Sequence, residues 1–274
     1  MPSLLFQGVS RTSTAVLIPF QLFFTCKDPI PGEQLVDKRW RLDWHEYAAT
    51  NWNIVVVQVD ARGAGYHSMN RIYSVKGRIP EIMVNDQISA IRYIAKKKKY
   101  LDIGKLLLVG EGLGGTIALI AASKFAPFIS GVAVYNARLN LHNSSKPATK
   151  VTTQKLSVNM YPAIGFTEKF IIPPKSENLS DLAASWNNTY TYISHCLNNQ
   201  VCPCEEFYRL LYSFDPALNI HTMVYPEEWT PDYMGSSRKH FYFIMVKQAC
   251  DKTVCHRQLS GQNASTDPEE EEEF

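Results

Sequence analysis

LLLVGEGLGG, residues 106–115, is the stretch on which the reading of the fold turns. Apolar residues run from Leu106 to Val109, and four glycines (Gly110, Gly112, Gly114 and Gly115) then fall within six positions. A short apolar run bounded by glycine reads as a buried strand. Clustered glycines mark a turn in which backbone must approach backbone closely. The next segment, TIALIAASKF from Thr116 to Phe125, continues as a helix whose small residues suit packing on a sheet. The unit is strand, glycine turn, helix.

Similar units lie on both sides of it. Upstream, NIVVVQVD (Asn53–Asp60) reads as a β-branched strand, followed by the glycine loop ARGAGYH, in which Arg62 and His67 stand near the carboxyl end of a strand, where α/β folds bind ligands, and read more simply as loop anchors. Val84, Ile88, Ile91 and Ala95 then fall at helical spacing over 84–95, and the lysines Lys96–Lys99 favour the negative end of that helix's dipole. A buried strand is expected within Ala15–Phe24 and another over Lys105–Val109. Downstream come strand Gly131–Tyr135, a polar excursion over 137–188 with short helices near 166–170 and 179–185, strand Tyr190–Ser194, helix Glu205–Phe214, strand Ile220–Tyr225 and helix Ser236–Ala249. Strand and helix in alternation predict parallel pairing with right-handed crossovers, a mostly parallel doubly wound α/β sheet.

A chain of 274 residues with 45% apolar and 12% aromatic content buries a substantial core as one domain, expected over 1–257. Residues 258–274, with the glutamates Glu269–Glu273, have the composition of a disordered acidic tail. Charges nearly balance, at 28 basic against 26 acidic, and the lysine run is explained by its helix end, so no nucleic-acid partner is expected. No apolar stretch reaches the roughly 20 residues that span a bilayer. Six cysteines and the sequons at Asn143, Asn178, Asn187 and Asn263 point to glycosylation and an oxidising, secretory-pathway setting. His195, Cys196, Cys202, Cys204, Cys250, Cys255 and His256 could be assembled into a zinc site, but their spacing matches no common finger, and disulfides are the simpler reading. No metal or cofactor is expected.

Five segments together resemble the C-terminal hydrolase domain of the dipeptidyl peptidase IV branch of the prolyl oligopeptidase family. They are RLDWHEYAATNWNIVVVQVDARGAGYH, NDQISAIRYI, VGEGLGG, FTEKFIIPPKSENL and MVKQAC, in register from about Ala15 to Cys250. The resemblance implies an α/β-hydrolase fold, with Gly110, Glu111, Gly112, Leu113, Gly114 and Gly115 as its nucleophile elbow. It also implies a Ser-Asp-His triad, in which serine attacks, histidine relays the proton and aspartate orients the ring. The serine position falls on Gly112, the aspartate on Asn198 or Asn199, and the histidine on Thr230 or Trp229. None of these residue types performs the role. Glu111 is a poor substitute nucleophile, because one residue before the apex its side chain points away from the pocket.

Two tyrosines that shape the family's site are replaced, at Leu113 and Thr116, and a third has no clear match near Thr25 or Cys26. A family cysteine at the position of Cys250 pairs with one before the strand at Gly131, where this chain has Ser130. Cys250 is therefore free or paired anew, with Cys202, Cys204 or Cys255 as candidates. Relatives in this branch that lack the serine act as auxiliary subunits of voltage-gated potassium channels, and some end in acidic tails. The resemblance thus implies a catalytically inactive binding or regulatory module at the cell surface, its partners a second copy, a family member, or a membrane protein such as a potassium channel. The alternative is a residual serine peptidase releasing N-terminal dipeptides. Set against the family's layout, the chain is expected to comprise the hydrolase domain without the β-propeller and membrane anchor. The apolar face of Phe207, Leu210, Leu211 and Phe214 reads as core or oligomer contact, and the closing helix is apolar enough for either role.

Overall fold

The computed structural model describes residues 4–7, 20–26, 34, 36–37, 43–52, 54–65, 68–75, 78–125, 128–137, 189–199, 204–212, 220–228 and 235–253. Its strands are β1 (Leu4–Gln7), β2 (Phe20–Cys26), β3 (Ile54–Val59), β4 (Leu101–Glu111), β5 (Gly131–Tyr135), β6 (Tyr190–Asn198) and β7 (Ile220–Glu228). The helices are α1 (Trp44–Asn51), α2 (Met69–Tyr73), α3 (Ile79–Lys97), α4 (Gly112–Lys124), α5 (Cys204–Tyr212) and α6 (Ser236–Thr253). The sheet runs β1-β3-β2-β4-β5-β6-β7, parallel from β3 through β7 with β1 antiparallel on one edge. This is the expected doubly wound α/β architecture.

Strand alternation sorts the core into two layers. Leu106 and Leu108 of β4, Val132 and Val134 of β5 and Ile193 of β6 face α3, α4 and α5. Leu107, Val109, Ala133, Tyr135, Tyr192 and Cys196 face α1 and α6. With both faces covered, β5 is buried along its whole length, which is why parallel strands read as continuous apolar runs. Helix α4 is buried all round through Ala122, so it carries no polar stripe.

The structure corrects several expected boundaries. The first parallel strand is Phe20–Cys26 rather than Ala15–Phe24, and β4 starts at Leu101 rather than Lys105. Asp102 pairs with Gln21 and Leu106 with Leu22, so 103–105 bulge out of the ladder, and this break hides the strand's beginning. Helix α3 starts at Ile79, with Pro80 in its first turn, where the missing N–H costs nothing. Apolar spacing marks it from its sixth residue, Val84, onward, and the proline signals its first turn. Helix α1 follows a capping box in which Asp43 accepts from the His45 N–H and the Glu46 carboxylate accepts from the Asp43 N–H. Strands β6 and β7 run on to Asn198 and Glu228, and α6 to Thr253. The short helices expected near 166–170 and 179–185, the sequons and the acidic tail lie outside the described residues, as does His67.

Helix α6 lies over β5 and β6 and is tied down at both ends. Arg238 in its first turn pairs with Glu111 at the carboxyl end of β4, and Gln248 accepts from Tyr190 Oη at the amino end of β6. Between them Phe241 stacks on Tyr192, with ring centroids 5.3 Å apart, and Met245 is fully buried. Phe207 and Leu210 of α5 are likewise core. No helix among the described residues is long and apolar enough to cross a membrane.

Four tyrosines on the α6 side, Tyr135, Tyr192, Tyr225 and Tyr242, are buried, and burial pushes each hydroxyl above its ordinary value. The folded state therefore holds phenolic protons that the unfolded chain begins to release near pH 10. Stability should be level up to about pH 10 and fall above it, by about 1.4 kcal/mol per pH unit for each such tyrosine. Urea denaturation followed between neutral pH and pH 11 checks this; a midpoint unchanged at pH 11 would show that these hydroxyls are exposed to water.

Candidate functional site

The glycine turn sits at the carboxyl edge of the sheet, where open α/β sheets bind ligands. Gly112 begins α4 directly after Glu111 of β4, with φ +53°, a left-handed conformation that glycine adopts freely. Its neighbouring glycines are required by contact. A Cβ on Gly110 would stand 2.5 Å from the Gly114 carbonyl oxygen and 2.7 Å from Gly115 Cα. A Cβ on Gly115 would stand 2.9 Å from Ala137 Cβ. The turn is therefore a sharp strand-to-helix reversal whose two arms touch backbone to backbone, and it presents its apex residue at the sheet edge. Leu113 and Thr116 behind the apex are both buried.

Glu111 belongs to the same strand face as Leu107 and Val109, so its carboxylate reaches α6 rather than the apex side. There it accepts from Arg238 Nε at 2.8 Å, stands 2.5 Å from Arg238 Nη2, and accepts from Tyr242 Oη. Burial alone would lower the Arg238 pKa, but the facing carboxylate outweighs it and holds the guanidinium charged. The arginine fork and the phenol take three of the carboxylate's roughly four acceptor positions and hold it on the α6 side of the sheet. Glu111 is structural. Residues Arg238, Tyr242 and Glu111 form an ion-pair clamp that sequence reading did not connect, because 127 positions separate Glu111 from Arg238.

The carboxyl ends of β5 and β6 form the next wall. Asn136, buried and at φ +51°, accepts from the Cys196 N–H at 2.7 Å and donates to Cys196 Sγ at 3.3 Å, while its own N–H donates to Ser194 O at 2.9 Å. Asparagine is among the few side chains that tolerate this backbone region. Tyr135 Oη lies 3.2 Å from the same sulfur. This tie fixes where β6 delivers the two asparagines that follow: Asn198 is exposed and lies opposite Glu228 beyond a register irregularity, while Asn199 is buried. Thr230 and Trp229 lie outside the described residues.

Alternation also separates the residues of a conceivable zinc site. His195 stacks on Phe207 of α5, centroids 5.2 Å apart, on one face of the sheet, and Cys196 points to the other. Cys26, Cys196 and Cys204 are free thiols, so Cys204 is not a disulfide partner of Cys250; the side chains of Cys202, Cys250 and Cys255 lie outside the described set. Burial raises the Cys26 thiol far above its usual range, which leaves it inert at neutral pH. Asp43, His45 and Glu46 bring potential ligand atoms within 4.8 Å of one another, but the helix cap uses both acids and Gln58 holds His45 Nε2 at 2.8 Å. Arg62 anchors its loop as expected, donating from its backbone N–H and its guanidinium to Asp86.

The profile described as the prolyl oligopeptidase family matches residues 40–228. The chain is 24% identical over 230 residues to the mouse inactive dipeptidyl peptidase 10, covering 80% of this chain and 26% of that protein. It is 30% identical over 162 residues to a probable dipeptidyl-aminopeptidase B of Chaetomium globosum, covering 58% of this chain and 15% of that one. The chain thus spans about a quarter of the length of the first of these relatives. Among solved structures, Porphyromonas gingivalis dipeptidyl peptidase 4 superposes with a TM-score of 0.67 at 18% identity, covering 86% of this chain and 32% of that one. Pyrococcus horikoshii acylaminoacyl peptidase gives 0.64 at 12%, covering 96% and 43%.

Gly110→Ala should destabilise the protein by about 2–3 kcal/mol, since the new methyl meets backbone that cannot yield. Gly112→Ser should fold, at a cost of about 1–2 kcal/mol for a side chain in the left-handed region. Comparable losses for the two in urea titrations would contradict the turn geometry. Arg238→Ala, which leaves Glu111 and Tyr242 without their cation, should cost about 3 kcal/mol in the same assay.

Proposed function

The chain belongs to the prolyl oligopeptidase family, and from that premise we propose that it is a catalytically silent member that works by binding other proteins. The observation that carries this reading is the glycine at the apex of an otherwise intact elbow. Serine chemistry in this family needs a hydroxyl at that position, and Gly112 has none. The other two triad positions, Asn198 or Asn199 and Thr230, offer neither a carboxylate nor an imidazole. Asparagine would favour the wrong histidine tautomer even were a histidine present. The alternative, a residual peptidase releasing N-terminal dipeptides, would need another nucleophile, and Glu111, the acid nearest the apex, is bound to Arg238. The similarity to a relative named inactive dipeptidyl peptidase 10 supports the same reading.

A binding module needs a surface. Between α1 and α6 lies a groove of about 470 Å³ lined by Trp44, Tyr47, Tyr242, Phe243 and Val246, with Asp43 and Lys239 at its rim. Tyr47 is 48% and Phe243 50% exposed, the amphipathic aromatic composition that interface cores favour. This groove is where a second copy or a family member seats in the proposal. A membrane-protein partner such as a potassium channel, and a cell-surface location with glycans at the four sequons, complete the reading.

The test is labelling of the purified chain with a fluorophosphonate serine-hydrolase probe. The natural chain should stay unlabelled. A chain carrying Gly112→Ser, Thr230→His and either Asn198→Asp or Asn199→Asp should regain labelling if the elbow keeps its catalytic shape, with the buried Asn199 position the more effective of the two. Robust labelling of the natural chain would sink the proposal.

A further inference from the structure

Four consecutive lysines, Lys96–Lys99, close α3 and take no part in the site. They stand at the edge of the sheet where the parallel strands begin. The Lys98 N–H donates to Ile94 O, the Leu101 N–H donates to Lys98 O, and β4 starts there. The surface around them is basic and aromatic. Arg92 lies over the rings of Phe125 and Phe128 at 5.5 and 5.7 Å, and Lys97 Nζ lies 5.9 Å from the Tyr93 centroid. Tyr93 and Phe128 are each 55% exposed. The nearby carboxylate of Asp102 already has a partner in Lys105, at 3.7 Å. Adjacent ammonium groups repel one another, so this ridge attracts a concentrated anion.

The chain carries one strongly anionic segment, Glu269–Glu273, and α6, the described element that precedes it, ends at the same edge as the lysines. Arg238 meets Glu111 at the carboxyl end of β4, and Gln248 meets Tyr190 at the amino end of β6. The helix therefore leads from the site edge to the opposite edge, where Lys96–Lys99 stand. Residues 254–268 separate Thr253 from the glutamates. Fifteen residues reach at most about 50 Å. The span to cover, from a helix on one face of the sheet to a helix on the other, is about 20–25 Å. We propose that Glu269–Glu273 docks on the ridge formed by Arg92, Lys96, Lys97 and Lys99, an intramolecular contact that occupies the ridge and shuts out external polyanions. Tethering supplies an effective concentration of about millimolar, which an ordinary soluble polyanion does not match. Release of the tail exposes the ridge.

The test uses the full chain and a zero-length carbodiimide crosslinker, with linked peptides mapped in the monomer fraction. Glu269–Glu273 should link to Lys96, Lys97 or Lys99 at low ionic strength, and yield should fall about tenfold in 1 M salt, where the screening length is about 3 Å. Yield should fall similarly in the Lys96→Gln, Lys97→Gln, Lys99→Gln variant. It should return in a charge-exchanged chain with those lysines changed to glutamate and Glu269–Glu273 each changed to lysine. Neutralising the tail with Glu→Gln at 269–273 should lengthen retention on heparin, the polyanion probe. Links spread evenly over other lysines, links confined to dimers, or heparin retention indifferent to the tail would each overturn the proposal.

Discussion

The approach of Gly110 to the backbone of Gly114 and Gly115 sets the angle at which β4 hands the chain to α4. Strand and helix can reverse this sharply only if no side chain stands between them. That one contact lays α4 flat along the sheet, which is why its whole circumference through Ala122 is buried and why it can be so uniformly apolar. It also fixes Gly112 at the sheet's carboxyl edge and, by strand alternation, turns Glu111 the other way. The clamp on α6 follows from that turn. An apex facing one side and an acid facing the other are two results of a single backbone reversal.

At the carboxyl edge of the sheet the polar groups serve the fold. Asn136 satisfies the backbone of β6, Arg238 neutralises Glu111, and Tyr135 contacts the Cys196 sulfur. Asn136, Glu111 and Tyr135 are thus each matched within the protein, and a matched polar group lacks the energetic tension that a poised catalytic group carries. The tyrosine hydroxyls, protonated at neutral pH in any case, are pushed further up by burial, and they serve as hydrogen-bond groups and ring surfaces.

Much of this was legible in the amino-acid sequence, and the reasons are specific. Continuous apolar runs gave β3, β4 and β5, because a parallel strand buried on both faces has no alternation to hide it. The elbow was legible because glycine is the residue that close backbone approach demands. The start of β4 was hidden by its bulge, and α1 by the weak apolar pattern of WHEYAATN, although the acid pair Asp43 and Glu46 marks its cap. The clamp from Glu111 to Arg238 and the tie from Asn136 to Cys196 could not be read from spacing, since only the folded sheet brings their elements together. Residues 189–199 illustrate the intermediate case: the strand was expected, but its length and the inward turn at Asn199 depend on the partner strand β7.

Helix α6, pinned to β4 near one end and to β6 near the other, spans about 27 Å as a single helix. Its two anchors sit on the central strand β4 and on β6, one strand in from the edge, so it cannot roll or slide without disturbing the core beneath it. The aromatic groove that α6 builds with α1 is therefore a rigid surface in the unbound protein. A partner that fits it pays little conformational entropy on the side of this chain, and one that does not fit cannot remodel it cheaply. Selectivity at such a surface comes from shape held in advance, and the stiffness that supplies it originates in the half-buried carboxylate of Glu111, beside the glycine turn.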